Sequence, residues 1–124
     1  MTSPCVRLAY EIGHLHRTPR SGWAVAGVAA PIESVAEHSH RTSILAFLIA
    51  AAEGADANRS ATLGAWHDVP ETRIGDIPHL GRKYLTAVDP TVIIKDQTEG
   101  LPEVMAAPNL SGSNYHWHRA CDGK

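Results

Sequence analysis

Five side chains in this 124-residue sequence have the types and spacing to do chemistry together: His38, His67, Asp68, Glu71 and Asp76. His67-Asp68 sets a neutral nitrogen donor directly beside an anionic oxygen donor. Consecutive helical residues diverge by about 100° at roughly 3.6 residues per turn, so such a pair can meet on one ion where a helix ends. Pro70 helps mark that end, because it disfavours the α region at Val69. Glu71 lies one helical turn beyond His67, and Asp76 follows in the next loop. Unpaired ionised carboxylates are costly to bury, and a divalent cation would satisfy the whole set. Mixed imidazole and carboxylate donors suit manganese, cobalt, iron or zinc better than magnesium or calcium. Such an ion lowers the pKa of a bound water and polarises a phosphoryl oxygen, and Glu71 is placed to act as an outer acid or base.

The elements that must position these residues read as helices throughout, and the fold class is all-α. Ser3-Pro4 opens a first helix, since serine can cap and proline is tolerated at the first helical position. Leu8, Ile12 and Leu15 continue it until it fades near Arg17-Thr18-Pro19. Arg20 to Trp23 reads as a loop, and Ala24 to Ile32 as small, apolar and undefined. Ser34 and Glu37 form the capping box of a second helix. Its stripe of Leu45, Leu48, Ile49 and Ala52, extended back through Thr42, puts His38 on the core-facing side. Gly54 stops that helix. A third starts after Asp56 and runs through Leu63 and Trp66 to His67-Asp68. A brief helical turn covers Pro70 to Ile74, and Gly75 to Pro78 forms a loop. Leu80 to Val88 is expected as a fourth helix, with a fifth capped by Asp89-Pro90 and ending at Gly100.

Length implies one domain, and a composition that is 44% hydrophobic and 19% charged is that of a globular chain. A net charge of −2 gives no support to a broad nucleic-acid-binding face. Cys5 and Cys121 form no disulfide framework and no Cys-x-x-Cys pair, which points to the cytoplasm. Met1 to Tyr10 lacks the basic head and apolar run of a signal peptide, and Ile44 to Ala52 is too short to span a bilayer. The other histidines, among them His14, His16, His40 and His79, need no role beyond surface or core.

The segments Glu33-Ser34-Val35-Ala36-Glu37-His38-Ser39 and His67-Asp68-x-x-Glu71-x-x-x-Gly75-Asp76-Ile77 resemble the HD-domain metal-dependent phosphohydrolases, and within them the 5′-deoxynucleotidase branch. Leu15 to Trp23, with its Arg20-Ser21-Gly22-Trp23 ending, is similar to that branch's amino-terminal segment. The likeness covers roughly residues 8 to 103. It implies an HD-domain helical bundle that hydrolyses nucleoside 5′-monophosphates with a divalent metal. It makes His38, His67 and Asp68 metal ligands, and gives Glu71 and Asp76 the task of orienting water or contacting the sugar. Arg20 best matches the arginine that holds the 5′-phosphate, with Arg17 as second choice. A non-catalytic remnant that binds metal or nucleotide is the alternative.

One departure from the family pattern concerns a fourth ligand, an aspartate on a later helix. The resemblance stops at Pro108, before that residue. The expectation is therefore a truncated HD domain over residues 1–107 that lacks its last helices, followed by an irregular tail over 108–124. Asp122, His116 and His118 are the residues of that tail able to stand in as a ligand. Apolar faces around Ile44, Leu48 and Ile93 are expected to be left uncovered, which a homodimer could hide.

Overall fold

The computed structural model of the chain describes residues 2–86 and 89–103; the expected 107/108 boundary and the candidates His116, His118 and Asp122 lie outside them. Among the described residues there are seven α-helices and no β-strand, as an all-α chain requires. Helix α1 (Pro4–Ile12) carries proline in its first turn and runs straight into a 3-10 turn, Gly13–Arg17, where the sequence signals fade. The segment after it does not stay a loop. Ser21–Val25 winds into a short helix, α2, stabilised by local bonds such as Ala26 N–H to Gly22 O at 3.0 Å.

Helix α3 (Val35–Ala52) begins at the expected capping box. The Glu37 amide donates to Ser34 Oγ at 3.2 Å, and the Ser34 amide donates to Glu37 Oε2 at 2.7 Å. A second constraint fixes the same point in space. Val35 N–H donates to Thr18 O at 2.8 Å and Arg20 N–H to Glu33 O at 2.9 Å, which ties the segment carrying Arg20 to the start of α3. One turn further on stands His38.

Gly54, with φ +71°, reverses the chain into α4 (Ala57–Trp66), whose first turn is capped by Asp56 accepting from the Arg59 amide. The two helices pack closely. A Cβ on Gly64 would lie 2.9 Å from Ser43 Cα, so only glycine lets the backbones meet there, and Ser43 Oγ donates to Ala61 O at 2.8 Å. This hairpin brings the end of α4 back beside the start of α3. Helix α4 stops at Trp66, two residues sooner than expected, so His67 caps it and Asp68 lies in the turn beyond.

Helix α5 (Glu71–Ile74) supplies the brief helical turn, and Gly75 ends it with φ +75°. The expected fourth helix shrinks to α6 (His79–Arg82), with residues 87 and 88 outside the described part. Helix α7 (Pro90–Gln97) is capped by Asp89 and ends three residues before Gly100.

The core is small and lies directly under the convergent residues. Leu15, Val35, Val69 and Ile94 are buried together, with Ile12, Ala36 and Trp66 packed against them. Val35 follows the cap of α3 and Val69 follows Asp68, so apolar anchors sit next in sequence to the polar positions they hold.

The stripe on α3 is a correction. Leu45, Leu48 and Ile49 are exposed, and the buried residues of that helix are Val35, Ser39 and Ala50. The packing face toward α4 needs small side chains because the backbones approach at Gly64, so the large apolar residues are turned away. Ile44 and Leu48 are uncovered as expected, whereas Ile93 is buried. Among the described residues no helix is long and apolar enough to cross a membrane.

Candidate metal centre

Three donor atoms meet where α3 and α4 come together. His67 Nε2 lies 3.3 Å from His38 Nε2 and 2.9 Å from Asp68 Oδ2, and His38 Nε2 lies 3.5 Å from the same oxygen. Donors held about 2.0–2.2 Å from one ion are separated by about 3.0 Å at right angles and about 3.4 Å at the tetrahedral angle. The observed spacing fits either.

The chemistry of the donors fits as well. His67 Nδ1 lies 2.6 Å from Gly64 O, and a carbonyl can only accept, so Nδ1 carries the proton and Nε2 presents its lone pair. Asp68 is buried, and its Oδ2 has no aligned hydrogen-bond donor although two imidazoles stand near it. A buried, ionised oxygen without a donor is a costly arrangement. A cation at the point that all three atoms face removes that cost. The side chain that made this set recognisable, Asp68, is also the one whose placement in the turn after α4 lets it join its neighbour.

Electrostatics keep two of the three groups in their ligating form, while an ion would have to displace a proton that Asp68 favours on His67. Burial and the Arg20 charge hold His38 below the usual imidazole pKa, which keeps it neutral and able to ligate. Burial also works against a charged His67, but the Asp68 contact and charge and the Gly64 carbonyl outweigh it, and its pKa is raised. Burial opposes ionisation of Asp68, yet His67, His38 and Arg20 overcome it and hold the carboxyl below its ordinary value.

The cavity over this triad has a volume of about 270 Å³. Glu71, Asp76 and Arg20 line it, so the structure brings together six of the seven residues singled out from the sequence. Arg17 is the exception: it is exposed on the 3-10 turn and does not line the cavity. Arg20 Nη1 stands 3.7 Å from Asp68 Oδ2 and 3.8 Å from Asp76 Oδ2. Asp76 also accepts from the Ser21 amide at 2.7 Å, which fastens the start of α2 to the loop after α5. Glu71 has a buried Oε2 without a hydrogen-bond partner. Burial and the negative charges of Asp68 and Asp76 push its pKa up to about 8, against the pull of Arg20 and Arg82.

Sequence reading missed the remaining lining. Ser21 and Gly22 come from one wall, and Ile77, Pro78, His79 and Arg82 from another. The signal available was proximity in the chain: the second group lies within six residues of Asp76. His79, given no role from the sequence, therefore faces the cavity.

The HD-domain family model matches residues 12–98, a span that contains every residue just described. The 5′-deoxynucleotidase HDDC2 of Bos taurus is 38% identical over 66 residues, which are 53% of this chain and 31% of that protein. The chain thus spans about a third of the length of the curated relatives it matches. Among solved structures, a crystal structure from a genomics programme shares 34% identity with a TM-score of 0.75, covering 87% of this chain and 64% of the other. A conserved hypothetical protein from Pyrococcus furiosus shares 33% identity with a TM-score of 0.64, covering 79% and 60%.

Proposed function

This chain belongs to the HD-domain family, and we propose that it is a metal-dependent phosphohydrolase releasing inorganic phosphate from nucleoside 5′-monophosphates. The observation that carries the reading is the convergence of His38 Nε2, His67 Nε2 and Asp68 Oδ2 on one point, with the buried Asp68 oxygen lacking a donor. The similarity to named 5′-deoxynucleotidases supports the substrate class.

A divalent ion of the manganese, cobalt, iron or zinc class, held by those three side chains, would supply Lewis acidity and a water of lowered pKa. The chain's own residues do the rest. Arg20 presents a guanidinium whose planar fork pairs with phosphate oxygens. Asp76 registers that wall twice, through Arg20 itself and through the Ser21 amide. Glu71, whose pKa in the ion-free site is raised by burial and by the charges of Asp68 and Asp76, is placed to take a proton from an attacking water or give one to a departing 5′-oxygen. Gly64 O holds His67 in the ligating tautomer.

Phosphate release from a panel of ribo- and deoxyribonucleoside 5′-monophosphates, with and without added Mn²⁺ or Co²⁺, tests the proposal. Ion-dependent release is expected from at least one of them. Ion binding without turnover of any would favour the alternative, a non-catalytic metal-binding domain. Arg20→Ala sharpens the test. Because Arg20 stands near Asp68, its loss leaves the ligand set more negative, so ion affinity should hold or rise while kcat/KM falls on the order of 10²-fold, the cost of a lost charge-assisted contact. Equal loss of both would make Arg20 a structural residue.

A further inference from the structure

We propose that Arg82 is a second phosphate-binding residue, acting with Arg20 from a different wall of the same cavity. The proposal rests on the phosphohydrolase reading and deepens it by naming a further contact to the substrate's phosphate.

Placement comes first. Arg20 and Arg82 both line the cavity, one from the start of α2 and the other from the end of α6. At about 270 Å³ the space is small beside the roughly 300–1,000 Å³ of sites for drug-sized ligands. A phosphate bound over the triad therefore lies within reach of both side chains. The field of Arg82 already extends to the floor, where it helps restrain the rise in the Glu71 pKa. Arg82 Nε donates to Ile77 O at 3.4 Å, which ties the side chain to the loop that follows Asp76.

Charge decides the matter. Three carboxylates, Asp68, Glu71 and Asp76, face two guanidiniums in the lining, with the imidazoles counted neutral. An ion of charge two on the triad turns a net negative cavity into one with a single positive charge. Take Arg82 away and the ion-loaded cavity is neutral, with no net attraction for a phosphate monoester dianion. A proton on Glu71 raises both counts equally and leaves the contribution of Arg82 unchanged.

The test is calorimetric titration of the Mn²⁺-loaded chain with inorganic phosphate, comparing the unaltered protein with Arg82→Ala and Arg82→Lys. Phosphate affinity is expected to fall about tenfold or more in Arg82→Ala, as for loss of a charged hydrogen bond. Arg82→Lys should recover part of it, since charge returns without the fork. Mn²⁺ affinity should not fall in either variant, which also reports that the site is folded. Phosphate affinity within twofold of the unaltered chain in Arg82→Ala overturns the proposal. The outcome is separable from turnover: Arg82-dependent phosphate binding with no nucleotide hydrolysed would sustain this inference and defeat the functional reading.

Discussion

The four-residue helix α5 separates two carboxylate centres that are built in opposite ways. On one side Glu71 faces the cavity, buried beside Asp68 and Asp76, with one oxygen unpartnered and its pKa pushed up to about 8. On the other side Glu11 of α1 meets the next two residues of the same helix. Arg73 grips it with Nε at 2.7 Å and Nη2 at 3.2 Å, Thr72 Oγ1 lies at 3.0 Å, and Gln97 Nε2 of α7 donates at 2.8 Å. The Arg73 bond, working against burial and joined by Gln97 and Thr72, pulls the Glu11 pKa down to about 2. One carboxylate is answered by the protein and holds α1, α5 and α7 together. The other is left short of positive charge. A fold keeps an unanswered cluster of this kind where a ligand supplies what is missing.

The largest effect expected from this contrast is on the deficient side. Asp68→Asn removes the anionic donor and should weaken Mn²⁺ binding on the order of 10²-fold or more, since even outer-shell partners of a metal site are worth 10–100-fold. Its thermal stability without ion should fall only modestly, because the folded chain holds this carboxyl below its ordinary pKa through His67, His38 and Arg20 against the cost of burial. A marked loss of stability with ion affinity intact would reverse the assignment of the two centres.

Glu11→Gln probes the satisfied side and should do the opposite. The expected cost is about 2 kcal/mol of folding stability by denaturant titration, as for a partly exposed ion pair with supporting hydrogen bonds, with Mn²⁺ affinity unchanged. The pH dependence has a definite sign. The folded pKa lies below the ordinary 4.5, so this stability is present above pH 4.5 and is lost as pH falls toward about 2. Acid unfolding of the Gln variant should accordingly be shallower across that window.

Much of the deficient side was legible in the sequence, and little of the satisfied one was. His38, His67 and Asp68 stood out because ligands must be of a few types and must fall at helix ends. The capping box at Ser34 and Glu37 and the cap at Asp56 gave the helix starts for the same reason, that unpaired amides demand particular side chains. Gln97 and Glu11 carry no such pattern: their meeting depends on how α1 and α7 pack. The α3 stripe misled because that helix is apolar on several faces, and which face is buried was decided by Gly64 on a different helix. Arg82 was hidden because no pattern marks it in the sequence, and its place in the cavity lining depends on how the short α6 packs.

The smallest predicted effect is also the sharpest test of the contrast, because its sign is unusual for an acid. Glu71 is buried and flanked by two carboxylates, so the folded chain binds its proton more tightly than the unfolded one. Between the ordinary value of 4.5 and about 8 the native state holds more protons, and stability falls as pH rises through that window. Glu71→Gln deletes the titration while keeping the shape. Ion-free Gln variant and parent should therefore melt alike near pH 4.5. Above pH 8 the variant should be more stable by about 1–2 kcal/mol, a figure discounted for the cavity's opening to solvent. Adding Mn²⁺ should shrink the difference, since a cation on the triad compensates the negative charge that Glu71 carries. Parent and variant melting together at pH 9, or the parent melting higher, would mean that the Glu71 carboxylate is as well answered as that of Glu11, and the distinction between the two faces of α5 would be lost.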